Sequence, residues 1–258
     1  MTWNPLTWLE YAVSWILIQF HKLTGAIFGE SSGWAWAFAI VGLVIVIRIL
    51  LIPLFVRQIK SQRNMQLLQP KIKEIQTKYA GDRERQSQEM MALYKETGTN
   101  PLSSCLPILA QAPIFFALFQ VLQGIALNIP RGVLTPELVE QAREATLLGV
   151  PIYATFMDAA QTPNPIATRV LTAVLIVLMT ATTFITQRQL IVKNTARDNP
   201  IAQQQKILLY VFPFFFLITG IYFPVGVLIY WLTTNLWSMG QQFYVIRNNP
   251  APGSKAYA

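Results

Sequence analysis

Few residues in this chain could do chemistry, and their scarcity narrows the reading. One cysteine, Cys105, and one histidine, His21, exclude an intramolecular disulfide, a multi-cysteine metal site and a triad of histidine ligands. The chain has no G-x-S-x-G, no P-loop, no H-E-x-x-H and no G-x-G-x-x-G, so hydrolase, nucleotide, zinc-protease and dinucleotide chemistry lack their usual carriers. The informative residue is a misplaced charge. Arg48 alone interrupts the apolar run Trp34–Val56. Nine positions separate it from Arg57, roughly 13 Å at the helical rise. The hydrocarbon half-thickness is about 15 Å, so Arg48 falls near the midplane of a span. Burial there costs at least about 2.5–3.5 kcal/mol.

An acidic partner would be the usual remedy, yet all 12 Asp and Glu lie outside the long apolar runs. Arg48 must therefore face water or uncharged polar groups. Such groups cluster by helical spacing. Trp231, Asn235, Ser238 and Gln242 share one face, Thr180, Thr183 and Gln187 another, and Gln111 lies at a similar depth. Trp34–Ile47, on the other side of Arg48, is apolar, and Gln120 and Gln123 are the exceptions in that half. The pattern describes a wet, basic groove entered from one side of a membrane and closed on the other.

The elements that position these residues follow from composition. Of 258 residues, 53 % are hydrophobic and only 12 % charged, against about 25 % charge in a soluble domain. Mean hydropathy is +0.40. A water-facing globule is excluded in favour of a bilayer protein. The net charge of +8 then reads as a topology signal rather than as a nucleic-acid footprint.

Gaps between charges locate five spans at 34–56, 106–127, 170–187, 207–223 and 227–246, the last two divided by the turn Phe223-Pro224-Val225-Gly226. Loops 57–105 and 188–206 and the tail 247–258 hold nine, four and two Lys or Arg, while 1–33 and 128–169 together hold four. The positive-inside rule puts the N-terminus outside and the C-terminus in the cytosol. No repeat relates the two halves, which gives an inverted-repeat transporter no support.

Residues 6–28 read as an amphipathic helix on the outer leaflet, with Trp3, Trp8, Tyr11 and Trp15 at headgroup level. The alternative, a sixth span, would move Met1 inside. The start lacks a basic n-region and a cleavage site, so a signal peptide is not expected, nor a lipoprotein anchor. In the cytosolic loop, Leu68, Ile72, Ile75 and Tyr79 fall on one helical face. After a break at Ala80-Gly81-Asp82, Gln86, Met90, Leu93 and Tyr94 fall on another. This predicts a helical hairpin. Outside, Thr135-Pro136-Glu137 starts a short helix through about Arg143.

Two functions compete on these residues. A small transporter or channel could use Arg48 as an anion site, but no span holds an Asp, Glu or His to relay protons. An unpaired positive charge in a half-groove better suits transient capture of a polar or acidic peptide segment.

The residues that carry this reading also resemble the YidC family of membrane-protein insertases. The stretches are Arg48-Ile49-Leu50-Leu51-Ile52-Pro53-Leu54, Gln69-Pro70-Lys71 through Lys78-Tyr79 with Asp82, Leu93-Tyr94-Lys95, Asn100-Pro101, Cys105-Leu106-Pro107 through Ala112-Pro113, and Phe223-Pro224-Val225-Gly226 with Tyr230-Trp231. The resemblance implies an all-α polytopic membrane protein of five transmembrane helices with a cytosolic hairpin, to which the residues add the outer-leaflet amphipathic helix. It implies an insertase of the bacterial plasma membrane that captures nascent membrane proteins without nucleotide or cofactor and releases them into the lipid bilayer, alone or beside the Sec translocon. Arg48 would line the groove with Gln111, Thr180, Thr183, Gln187, Asn235 and Ser238, and Tyr230 and Trp231 would contact the incoming segment. The tail after Tyr244 carries only Arg247 and Lys255, which leaves room for ribosome contact but provides no long basic tail for it.

Overall fold

A computed structural model describes residues 6–98, 106–188 and 200–248. The end of the expected hairpin loop, the middle of the second cytosolic loop and the tail beyond 248 lie outside them. The described chain is almost wholly helical: α1 (Thr7–Phe28), α2 (Gly33–Leu50), α3 (Ile52–Leu67), α4 (Gln69–Lys78), α5 (Arg83–Glu96), α6 (Leu106–Leu127), α7 (Pro136–Glu144), α8 (Pro165–Arg188), α9 (Pro200–Thr219) and α10 (Val225–Asn248). By length and apolarity α2 and α8 can each cross a membrane, and Gln111–Leu127 and Leu209–Tyr222 are shorter apolar helical stretches.

Helix α2 begins where the Ser32 side chain accepts from the Trp34 amide, and it stops at Leu51. Pro53 explains the stop, since it has no N–H to give to Ile49 and its ring crowds that carbonyl. The run expected as one element over 34–56 is thus two helices meeting at Leu51. One apolar core joins α1, α2, α6, α8 and α10, with Leu17, Trp36, Ile40, Leu43, Leu118 and Leu228 fully enclosed. Gly42 lets Phe20 of α1 lie against α2, where a Cβ would come within 2.4 Å of the ring.

Helix α1 turns three polar groups inward. Glu10, Ser14 and His21 are buried, while Trp8, Tyr11, Trp15, Leu23 and Ile27 are exposed. Each buried group has a partner. Arg131 sits 3.6 Å from Glu10, and Ser14 Oγ accepts from the Val133 amide at 3.0 Å. His21 Nε2 donates to the Glu30 carbonyl at 2.9 Å, with its ring 4.0 Å from that of Trp36. Burial pushes the His21 imidazole below its ordinary range. The inner face also carries Val13, Leu17 and Ile18, and the exposed side carries Gln19 and Lys22 among its aromatic and aliphatic residues.

The loop after α6 folds back on the bundle. Thr135 Oγ1 accepts from the Leu138 amide and starts α7. Its hydroxyl also holds the Glu137 carboxyl below the usual carboxylate range. Arg143 donates to the Ile125 and Ala126 carbonyls at the C-terminus of α6, where a cation also favours the helix dipole. A feature with no helical signal follows, an antiparallel hairpin of β1 (Thr146–Leu147) and β2 (Val150–Pro151), paired Thr146 with Pro151 and Leu147 with Val150. It is the one departure from an all-α fold among the described residues. Ser32 bridges to Thr146, and Gly33 lies so close that a Cβ would sit 2.2 Å from the Thr146 carbonyl carbon.

The hairpin of α4 and α5 has its own small core of Leu68, Ile72, Leu93 and Tyr94, with Ile75 and Met90 against it. Asp82 accepts from the Arg85 amide at 3.0 Å to begin α5, and the Lys78 and Arg85 cations lie over the Tyr79 ring. Burial pushes the Tyr94 phenol up.

Candidate functional site

Arg48 is only 6 % exposed. Its Nη2 donates to Ser238 Oγ at 2.9 Å and to the Thr234 carbonyl at 3.3 Å, both on α10. The Phe55 ring lies 5.3 Å from its guanidinium carbon. None of these partners is charged, and α2, α6, α8, α9 and α10 contain no acidic residue at all. Ser238 Oγ in turn donates to the Thr234 carbonyl at 2.8 Å, so the two acceptors are also tied to each other.

Gln111 of α6 donates to the Tyr230 hydroxyl at 2.6 Å. Asn235 points the other way. Its Nδ2 donates to Thr183 Oγ1 at 2.7 Å and to the Met179 carbonyl at 3.2 Å, linking α10 to α8. The polar face of α10 is therefore held from two flanks, by Arg48 of α2 on one and by Thr183 of α8 on the other. Gln187 and Gln242, both half-buried, continue the two faces one turn beyond Thr183 and Ser238.

Four buried polar atoms in this region have no hydrogen-bond partner among the described residues: Arg48 Nε, Gln111 Oε1, Thr180 Oγ1 and Thr234 Oγ1. Unpaired buried polar atoms are rare and each costs about 1–3 kcal/mol. Three belong to residues that the spacing had already grouped. Thr234 was not among them, because its contribution to Arg48 is a backbone carbonyl, which no side-chain pattern reveals.

Toward the Val225 end of α10 the site changes character. Trp231 makes edge contacts with Phe115 at 4.9 Å and Phe216 at 4.5 Å and stacks on Phe223 at 5.8 Å. Phe119 packs on Phe115 and Phe223 in turn. This aromatic cluster lies at one end of the polar region. Sequence reasoning placed Trp231 and Phe223 but missed Phe115, Phe119 and Phe216, because aromatics in an apolar run look like ordinary lipid-facing residues. Chemically the arrangement offers hydrogen-bond donors and a fixed positive charge, and among the described residues no carboxylate or imidazole stands beside its hydroxyls.

Comparison with known proteins gives consistent matches. The family model for the 60Kd inner membrane protein matches residues 27–252. A membrane protein insertase YidC of Streptomyces avermitilis is 58 % identical over 98 % of this chain and 60 % of its own length. One of Tropheryma whipplei is 43 % identical, covering 98 % of this chain and 87 % of its own, and one of Mycobacterium leprae 36 %, covering 95 % and 76 %. A solved structure titled "Active YidC insertase crystal structure with the first transmembrane domain resolved" superposes with a TM-score of 0.59 at 24 % identity, over 92 % of this chain and 47 % of that one. The fold is therefore shared, and the chain spans about half to three-fifths of the length of these two longer proteins.

Proposed function

The chain belongs to the YidC family, the family of the 60Kd inner membrane protein, and on that footing we propose that it inserts nascent membrane proteins into the bacterial plasma membrane. The observation that carries the reading is Arg48, a buried charge with only uncharged partners, set among polar atoms without partners. A passing peptide segment can satisfy all of them briefly.

The steps are physical. The cytosolic hairpin meets a hydrophobic segment. The segment's polar or acidic flank enters beside Arg48, Gln111, Thr180 and Ser238, which lowers the barrier to crossing. The aromatic cluster around Trp231 keeps the far end closed. The apolar part then moves along the exposed flanks of α8 and α10 into lipid. Burying apolar surface contributes about 25 cal/mol per Å², which over a whole span exceeds the cost of breaking one transient ion pair. No bond is made or cut, no cofactor is used, and the Sec translocon is a candidate partner.

Reconstitution tests this directly. Liposomes holding the purified chain should render a small single-span substrate protease-protected at a rate well above empty liposomes. Equal protection in both would overturn the proposal.

The arrangement includes five spans, N-terminus outside. In intact cells, with Cys105 replaced, an impermeant thiol reagent should label a cysteine at Gln161 and spare one at Ser87. Labelling at Ser87 would reverse the orientation.

A further inference from the structure

We infer that the tip of the external β-hairpin is seated in the outer headgroup layer of the bilayer and anchors the outer end of α10 there. The inference rests on the orientation proposed above. The hairpin turns through Leu148 at φ +54° and Gly149 at φ +79°. Two-residue turns of this kind favour Asn-Gly, because an L side chain in the left-handed region crowds its own carbonyl. A leucine is the wrong residue for the backbone, and it is also 64 % exposed. Water gives it no reason to be there, whereas an apolar surrounding does.

Position identifies that surrounding. Thr146 bridges to Ser32, the cap of α2, and abuts Gly33. The base of the hairpin therefore lies at the outer end of a helix able to cross the membrane. The tip is two residues further on, about 7 Å at the strand rise. The headgroup layer is roughly 5–8 Å thick on each side of the hydrocarbon, so a tip directed outward or along the surface stays within about one headgroup thickness of the hydrocarbon. The same level carries exposed aromatics. Phe28 stacks on Phe38 at 5.1 Å, and Trp34 on Phe38 at 6.2 Å. Of these rings, the exposed Trp34 indole is of the amphipathic kind that concentrates at this depth.

The anchor reaches the functional helix through main-chain bonds. Just after β2, the Ile152 and Ala154 carbonyls accept from the Gly226 and Val225 amides at 2.9 and 3.0 Å. These are first-turn donors of α10 that have no partner within their own helix. Lipid at Leu148 would thus steady the end of α10 that carries Tyr230 and Trp231.

The test places an environment-sensitive fluorophore on a cysteine at Leu148, with Cys105 replaced, in proteoliposomes whose lipids carry a quencher at headgroup or shallow acyl depth. A second sample carries it at Gln161, an exposed external position. Expected is strong lipid quenching and weak iodide quenching at Leu148, with the reverse at Gln161. Equal, iodide-dominated quenching at both would overturn the anchor and leave the tip to a protein partner. Iodide reaching Gln161 only from the cytosolic side would instead overturn the orientation, so the two failures are separable. Leu148→Asn suits the left-handed backbone, so the thermal midpoint should hold while the Val225 and Gly226 amides exchange faster in bilayers. Unchanged exchange would overturn the coupling to α10.

Discussion

Arg48→Met should leave the protein folded, or more stable, and yet cut insertion of substrates with acidic translocated tails by at least about tenfold. Methionine keeps the length of the side chain without its charge, which limits any cavity. The hydrogen bonds lost are two, but their acceptors are not orphaned, because Ser238 Oγ already donates to the Thr234 carbonyl. A hydrogen bond contributes about 0.5–1.5 kcal/mol net, somewhat more when charged. The charge burial relieved is worth at least about 2.5–3.5 kcal/mol. The tenfold loss corresponds to about 1.4 kcal/mol, a fraction of the ~4 kcal/mol shared by unit charges 4 Å apart at an effective dielectric of 20. Arg48→Lys should retain much of the activity, since the contact needs positive charge more than a planar fork. Arg48→Glu should be worse than Arg48→Met, because it repels the acidic flank. Proteoliposomes holding each variant, given substrates that differ only in tail charge, make the measurement. Equal loss for acidic and neutral tails would show that Arg48 hydrates the groove rather than pairing with cargo. Loss of folded protein would make it a structural residue.

The parts of this molecule readable from sequence share a physical reason. Charge is so costly in hydrocarbon that long uncharged stretches locate the apolar parts of α2, α6, α8, α9 and α10, and Arg48, the one charge between Trp34 and Val56, points to the site. Polar residues inside the apolar runs were legible because lipid tolerates few of them, so their spacing carries information. What stayed hidden depends on the third dimension. Nothing in the spacing of Asn235 and Ser238, three residues apart, shows that one turns to Thr183 and the other to Arg48. The β-hairpin at Thr146–Pro151 was invisible for a related cause. Its turn uses Leu148 where the turn geometry favours asparagine, so the usual signal is missing. The break at Leu51 was legible in principle from Pro53, but an unbroken apolar run outweighed it.

The cytosolic hairpin lends itself to the second large effect, because its core is separate from that of the bundle. Four buried side chains hold α4 to α5, and Ile72, 2 % exposed, is the most enclosed of them. Truncating a buried isoleucine to alanine costs about 2–5 kcal/mol, and helices of 10 and 14 residues are marginal without tertiary support. Ile72→Ala should therefore unfold the hairpin and nothing else. Hydrogen exchange would show amides from 69 to 96 losing protection while α2, α6 and α10 keep theirs. If the hairpin receives the segment before the groove does, insertion should fall nearly as far as when Lys71–Lys95 is deleted. Both variants lack a docked receiving surface but retain Arg48 and its partners, so a segment already lodged in the groove should still leave at the normal rate. A tethered substrate, fused so that delivery is bypassed, separates the two stages: its insertion should recover in Ile72→Ala and remain lost in Arg48→Met. Normal insertion of an untethered substrate by the deletion variant would reduce the hairpin to a linker. Failure of the tethered substrate to recover would mean that the hairpin acts on the groove itself, through α3, rather than on the cargo before it arrives.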